Sequence, residues 1–161
     1  MSPFRDVLQL LVIIVLLISC GKEPSSKSFS PYYKLTVNGS KKSVPACGTS
    51  DYVAEYLKDT AVFAGFRCGG TGGGFYLKGR IIDGTYPLSN TNQAWYNEGQ
   101  MTYTTDSLNQ GVLTIRMGNY EAVGGLIPYV EGEISFSAVD KNTGTTISVT
   151  NGKFLLKKYQ D

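Results

Sequence analysis

The chain has 161 residues and no histidine. The side chain that most often serves as general base and as zinc ligand is therefore missing, and neither a Ser-His-Asp nor a Cys-His site can be assembled. Charge is scarce as well, at 17% of residues with a formal net charge of +2. Such a balance holds no basic stripe of the kind a phosphate backbone needs, so nucleic acid is not an expected partner. Long apolar runs are lacking too. The longest, residues 7–18, is broken by Gln9 and falls short of the roughly 20 residues that a bilayer core demands of a helix. No transmembrane span is expected. The glycine-rich stretch Gly69-Gly70-Thr71-Gly72-Gly73-Gly74 lacks the lysine and the following helix that let a P-loop cradle phosphate, and it reads as a hairpin loop. No cofactor and no metal site are expected.

Residues 7–18 have the length of the apolar core of a secretory signal, preceded by Arg5 and the N-terminal amine and weakened by Asp6. The run ends in Leu17-Ile18-Ser19-Cys20, which resembles the lipobox of bacterial lipoproteins, where a signal peptidase cuts before the cysteine and acyl chains are attached to it. The resemblance implies that residues 1–19 are removed, that Cys20 is lipidated, and that the rest is held at a membrane through that anchor. One acyl chain, at ~0.8 kcal/mol per buried methylene, anchors only marginally, whereas the three chains of the lipoprotein class anchor stably. Gly21 stands where an aspartate would mark retention at the inner membrane. The implied destination is the outer membrane, with the domain facing either periplasm or cell surface. Residues 20–31 continue as CGKEPSSKSFSP, a serine- and proline-bearing stretch with little to bury, and read as a flexible tether. Loss of Arg5 and Asp6 with the leader keeps the net charge at +2.

Residues 32–161 suit a single domain, and they alternate as β-strands do. Residues 32–37 put Tyr33, Leu35 and Val37 on one face and Lys34 and Thr36 on the other, and Asn38-Gly39 is a type I′ turn signal. Residues 41–46 should return as the second arm, held to an edge by Pro45. Residues 50–58 read either as a short helix after a cap at Ser50 or Asp51 or as an irregular strand. Further strands are expected at 61–68, 75–82, 85–88, 101–105, 112–117, 132–139, 145–150 and 153–159. Leu113, Ile115 and Met117 should face inward, as should Ile134, Phe136 and Ala138, then Ile147 and Val149, then Phe154 and Leu156. Asn142-Thr143-Gly144 and Asn151-Gly152 read as the last hairpin turns. Short strands with turn signals between them and no crossover helices predict an all-β domain, a single antiparallel β-sandwich or flattened barrel of about 9–10 short strands.

In an oxidising compartment, Cys47 and Cys68 are the two thiols left once Cys20 is acylated, and a disulfide between them is the expected pairing. It would close a loop of about 20 residues, worth around 3 kcal/mol in the chain-entropy model. Two free thiols remain the alternative, because bridging distance cannot be read from sequence.

Several segments together resemble an uncharacterised family of small bacterial outer-membrane lipoproteins: the lipobox, the hairpin opening at Tyr33-Lys34-Leu35-Thr36-Val37-Asn38-Gly39, Asp83-Gly84-Thr85-Tyr86-Pro87-Leu88, Gly111-Val112-Leu113-Thr114-Ile115, and the run from Gly132-Glu133-Ile134 to Asn151-Gly152-Lys153-Phe154. The resemblance implies the fold and the anchor and supplies no catalytic residue. Val44, where that family often has a tryptophan, and the cysteine pair are departures from it.

Three functions are open to such a domain. The first is a non-catalytic, membrane-tethered module that binds an envelope partner or serves the envelope, for which residues 122–130 (AVGGLIPYV), read as an apolar loop, offer a docking surface. The second is a carbohydrate-binding module built on Trp95, Tyr96 and Tyr86, since Trp95-Tyr96 lies in an amide-rich segment where aromatic faces and amide donors could hold a sugar ring. The third is a hydrolase with a carboxylate pair drawn from Asp51, Glu55, Asp83, Glu98, Glu121, Glu131 and Glu133, which only their separation in space could define. Asp140-Lys141-Asn142-Thr143-Gly144 begins like a calcium loop, but position 12 would be Asn151 where a bidentate glutamate is needed, so it reads as a turn. The first, an unidentified envelope protein or glycan as partner and no catalysis, is the expectation.

Overall fold

The computed structural model describes residues 29–44, 53–57, 61–79, 81–122 and 124–158. The leader, Cys20 and Cys47 lie outside the described residues. The protein is all-β. Among the described residues the elements are β1 (Tyr32–Val37), β2 (Ser40–Val44), β3 (Val53–Leu57), β4 (Ala61–Cys68), β5 (Thr71–Lys78), β6 (Gly84–Leu88), β7 (Gln93–Glu98), β8 (Met101–Thr104), β9 (Gly111–Ala122), β10 (Gly125–Asp140) and β11 (Thr146–Lys158).

The pairing makes two layers sewn together at both sides. The first layer runs β2-β1-β11-β10-β9-β6 and the second β3-β4-β5-β7-β8. The seams lie where the two longest strands outrun their neighbours. At its C-terminal end β11 passes β1 and pairs with β3 through Lys157↔Val53 and Lys158↔Ala54. At its own C-terminal end β10 passes β9 and pairs with β8 through Val139↔Thr104 and Asp140↔Tyr103. The result is a flattened barrel. Every pairing is antiparallel except the two-residue seam of β11 with β3, which is parallel.

The alternation read along the chain places the core. Tyr33, Leu35 and Val37 are buried, as are Leu113, Ile115, Ile134, Phe136, Ala138, Ile147, Val149, Phe154 and Leu156, while Met117 is half-buried against them. Aromatic rings tie the layers together. Tyr33 stacks on Phe154 at 6.2 Å within the first layer, and Phe154 meets Phe75 of the second at 5.2 Å. Burying side chains of this size stabilises by roughly 1.5–3 kcal/mol each. The first hairpin turns as expected, with Asn38 and Gly39 at φ 47° and 81°.

One open alternative is resolved, and several expectations give way. Residues 53–57 form β3, resolving the helix-or-strand alternative in favour of the strand. The glycine-rich run is a turn only at Gly69 and Gly70, and residues 71–74 belong to β5, paired on both sides. A ladder needs backbone groups and no Cβ, so glycines can hold a strand, and the register sets Gly73 beside Tyr96. Asn151-Gly152 is no hairpin. β11 runs straight through it, with Asn151 at φ 53° as the extra residue of a bulge that shifts the register against both β1 and β10. Residues 122–130 are no loop either, because β9 and β10 continue as a ribbon to Ala122↔Gly125. The same lengthening makes β9, β10 and β11 strands of 12, 16 and 13 residues, and the count exceeds the expected nine or ten short ones.

Candidate functional site

The first layer turns its polar face outward. Because pairing is in register, Thr114, Glu133, Lys153, Lys34 and Ser43 stand side by side across β9, β10, β11, β1 and β2. The next row toward the start of β1 holds Arg116, Glu131, Leu155 and Tyr32. On the other side, past the bulge, come Thr150, Thr36 and Lys41. The bulge breaks the regular pleat here, and raises the local twist.

Two concavities open on this face and meet at Tyr32 and Lys153. One, of about 500 Å³, is lined by Tyr32, Lys34, Leu35, Thr36, Lys41, Lys42, Ser43, Asn151 and Lys153, and among the described residues no carboxylate lines it. The other, of about 290 Å³, is lined by Tyr32, Thr114, Arg116, Glu131, Glu133 and Lys153. Two of the four lysines are engaged. Lys153 Nζ lies 3.1 Å from Glu133 Oε1, and Lys42 Nζ lies 2.7 Å from Glu98 Oε1, a hydrogen bond that holds the Lys42 ammonium above its ordinary pKa. Lys34 sits over the ring of Tyr32 at 5.4 Å from its centroid, a cation–π contact that fixes both groups at the rim. Among the described residues Lys34 and Lys41 have no carboxylate partner. The larger concavity therefore combines uncompensated positive charge, one aromatic face and the hydroxyl and amide groups of Thr36, Ser43 and Asn151.

No family model, no curated protein and no solved structure matches this chain.

The residues singled out from sequence do not form one platform. Trp95 and Tyr96 are neighbours on β7 and so point to opposite faces. Tyr96 is 1% exposed and lies in the core, stacked on Tyr103 at 6.5 Å. Its hydroxyl has no hydrogen-bond partner among the described residues, and burial pushes its pKa up. Tyr96 is therefore withdrawn as a surface group for a sugar. Trp95 lies half-buried on the outer face of the second layer, opposite Gly74. Tyr86 belongs to the first layer, packs against the core and donates its hydroxyl to Ile82 O at 2.7 Å. The three are on different surfaces.

Cys68 is half-buried at the end of β4 and disulfide-bonded, with its partner outside the described residues. Of the candidate carboxylates, Glu131 and Glu133 share the smaller concavity, and the other described ones stand apart. Asp83 Oδ1 accepts from the Met117 amide at 2.8 Å, while Glu98 and Glu133 hold lysines. Asp51 and the side chain of Glu55 lie outside the described residues. Asp140 is 2% exposed and its Oδ1 accepts the amides of Asn142 and Thr143, which makes the Asp140 segment a turn. Among the described residues no three metal-ligating side chains gather.

Sequence reasoning missed Tyr32, Lys34, Lys41 and Lys153 as a group. The outward period of Lys34 and Thr36 was legible, but Lys153 is brought beside Lys34 by a pairing across more than a hundred residues.

Proposed function

We propose that this protein is a bacterial lipoprotein, acylated at Cys20 and held at the outer membrane, whose β domain is a non-catalytic binding module. Its ligand surface is the outward groove over β1, β2 and β11. The observation that carries this reading is the larger concavity, where Lys34 and Lys41 lack carboxylate partners among the described residues and the half-buried Tyr32 lies at the rim. Positive charge, an aromatic face and short polar side chains suit an acidic glycan segment, whose carboxylate or phosphate groups meet the lysines while a sugar ring lies on the tyrosine. The sugar-binding idea thus moves from Trp95 and Tyr96 to Tyr32.

The test uses the full protein extracted from membranes in mild detergent, titrated with polygalacturonate and with neutral dextran of similar length. Binding to the acidic polymer alone is expected. Removing two surface charges worth roughly 0.7 kcal/mol each, as in the double variant Lys34→Ala, Lys41→Ala, should weaken it about tenfold. Equal binding to dextran, or an unchanged affinity in the double variant, would overturn the groove as the site. Mass spectrometry of the N-terminal peptide tests the anchor separately, by the acyl mass expected on Cys20.

A further inference from the structure

Beyond the Gly118↔Tyr129 pair, the described residues of the β9–β10 ribbon line neither concavity and none of them is buried. β10 parts from β11 at Tyr129↔Lys157 but stays paired with β9 to Gly125↔Ala122. The end of β11 at Lys158 is level with Pro128, and three further residues at ~3.4 Å each put the tip about 10 Å beyond it. A free two-stranded ribbon is marginal in water, and this one presents apolar groups there. Leu126 is 64% exposed, and Ile127 and Pro128 are half-buried.

The ribbon also receives the end of the tether. Phe29 packs edge-on against Tyr120 at 5.6 Å and against Tyr129 at 6.3 Å. Tyr129 in turn lies over Gly118, where a Cβ would come within 2.4 Å of its hydroxyl oxygen. The chain leading back to Cys20 thus leaves the domain on the ribbon's own flank, at the end of β1 opposite Lys41 and the bulge. Nine Cα-to-Cα steps separate Phe29 from Cys20, at most about 32 Å of fully extended chain. A lipid on Cys20 cannot be farther from Phe29 than that.

We propose that the β9–β10 ribbon is a foot that seats the anchored domain on the phospholipid surface, with Leu126 and Ile127 entering the headgroup region and the Phe29, Tyr120 and Tyr129 rings at the interface. This rests on acylation of Cys20. Phenolic rings have one apolar body and one wet end and favour that layer. Glu121, paired with Leu126 on the same face, limits insertion to the tip. So seated, the domain carries the Lys41 end of the groove away from the bilayer.

The experiment places the acylated full chain in vesicles of phosphatidylethanolamine and phosphatidylglycerol containing lipids brominated near the headgroup. In a Trp95→Phe background a single tryptophan is introduced at the tip, Leu126→Trp, or at the far turn, Asn142→Trp. Insertion of about 5–10 Å predicts roughly twofold quenching at position 126 and essentially none at 142. As a check needing no loss of Trp95, the amides of residues 119–128 in the unaltered protein should exchange more slowly in vesicles than in the double variant Leu126→Asp, Ile127→Asp. Equal quenching at both positions, or equal exchange in the two proteins, would overturn the foot while the acyl mass on Cys20 still stands. A chain without acyl mass sinks the anchor instead, and quenching at position 126 alone would then leave the ribbon a membrane-seeking surface in its own right.

Discussion

Single residues in this domain differ sharply in how much change they tolerate, and glycines make the contrast plain. Gly132 faces inward on β10, and an added Cβ would lie 1.9 Å from Thr114 O and 2.7 Å from the tip of the buried Phe154 ring. The first of these contacts is backbone, which cannot swing aside. Gly132→Ala is expected to destabilise by about 3 kcal/mol or more, at or above the upper range for overpacking. Gly84 at the start of β6 has nothing nearer than 3.9 Å, so Gly84→Ala should stay within about 0.5 kcal/mol. Urea midpoints of the two variants measure the difference. Tyrosine burial sets a second residue-scale effect. Desolvation raises the Tyr33 hydroxyl pKa well above its ordinary value, with a contribution from Tyr96, and raises that of Tyr96 less strongly, with a contribution from Glu98. A raised folded value means that the folded state keeps protons the unfolded chain releases, so this stability is whole below about pH 10 and falls as pH rises above it. Tyr33→Phe should flatten the alkaline fall in the urea midpoint, and an unchanged slope would count against Tyr33 as its source.

At the scale of elements, the interest lies in how three long strands absorb a register conflict. β11 must pair with β1 on one edge and β10 on the other, and Asn151 at φ 53° takes up the one surplus residue against both. Asparagine tolerates the left-handed region at low cost, whereas residues with an ordinary Cβ lose roughly 1–2 kcal/mol there. Asn151→Ala should therefore cost about 1 kcal/mol while Asn151→Gly costs little, as thermal melts would register. The same dipeptide type closes the first hairpin, where Asn38 Oδ1 also accepts from the Ser148 amide at 2.8 Å and the Asn38 amide donates to Ser148 O at 2.9 Å. One sequence signal thus serves a turn in one place and a bulge in the other. The local dipeptide asks only for positive φ, and the strands on either side decide what the bend becomes.

On the scale of the whole molecule, two seams join the layers into one core. Trp95 reports on the second layer, while the strand tyrosines, on β1, β6, β9 and β10 of the first and β3, β5, β7 and β8 of the second, report on both. Because β10 and β11 belong to both circuits of pairing, neither layer can lose its strands without exposing the shared Tyr33–Phe154–Phe75 contacts. Denaturation followed by Trp95 fluorescence and by near-ultraviolet tyrosine dichroism should give coincident transitions. Separate midpoints would mean two independently folding layers.

The inward faces of β1, β9, β10 and β11, the all-β class and the Asn38-Gly39 turn were legible because period-two alternation and turn chemistry are local properties of the chain. The strand character of residues 71–74, the passage of β11 through Asn151, the length of the β9–β10 ribbon and the meeting of Lys153 with Lys34 were decided by tertiary structure alone. Each depends on which distant strand lies alongside. A glycine run has no side-chain period of its own, and a register fixed between residues 34 and 153 leaves no mark in either neighbourhood.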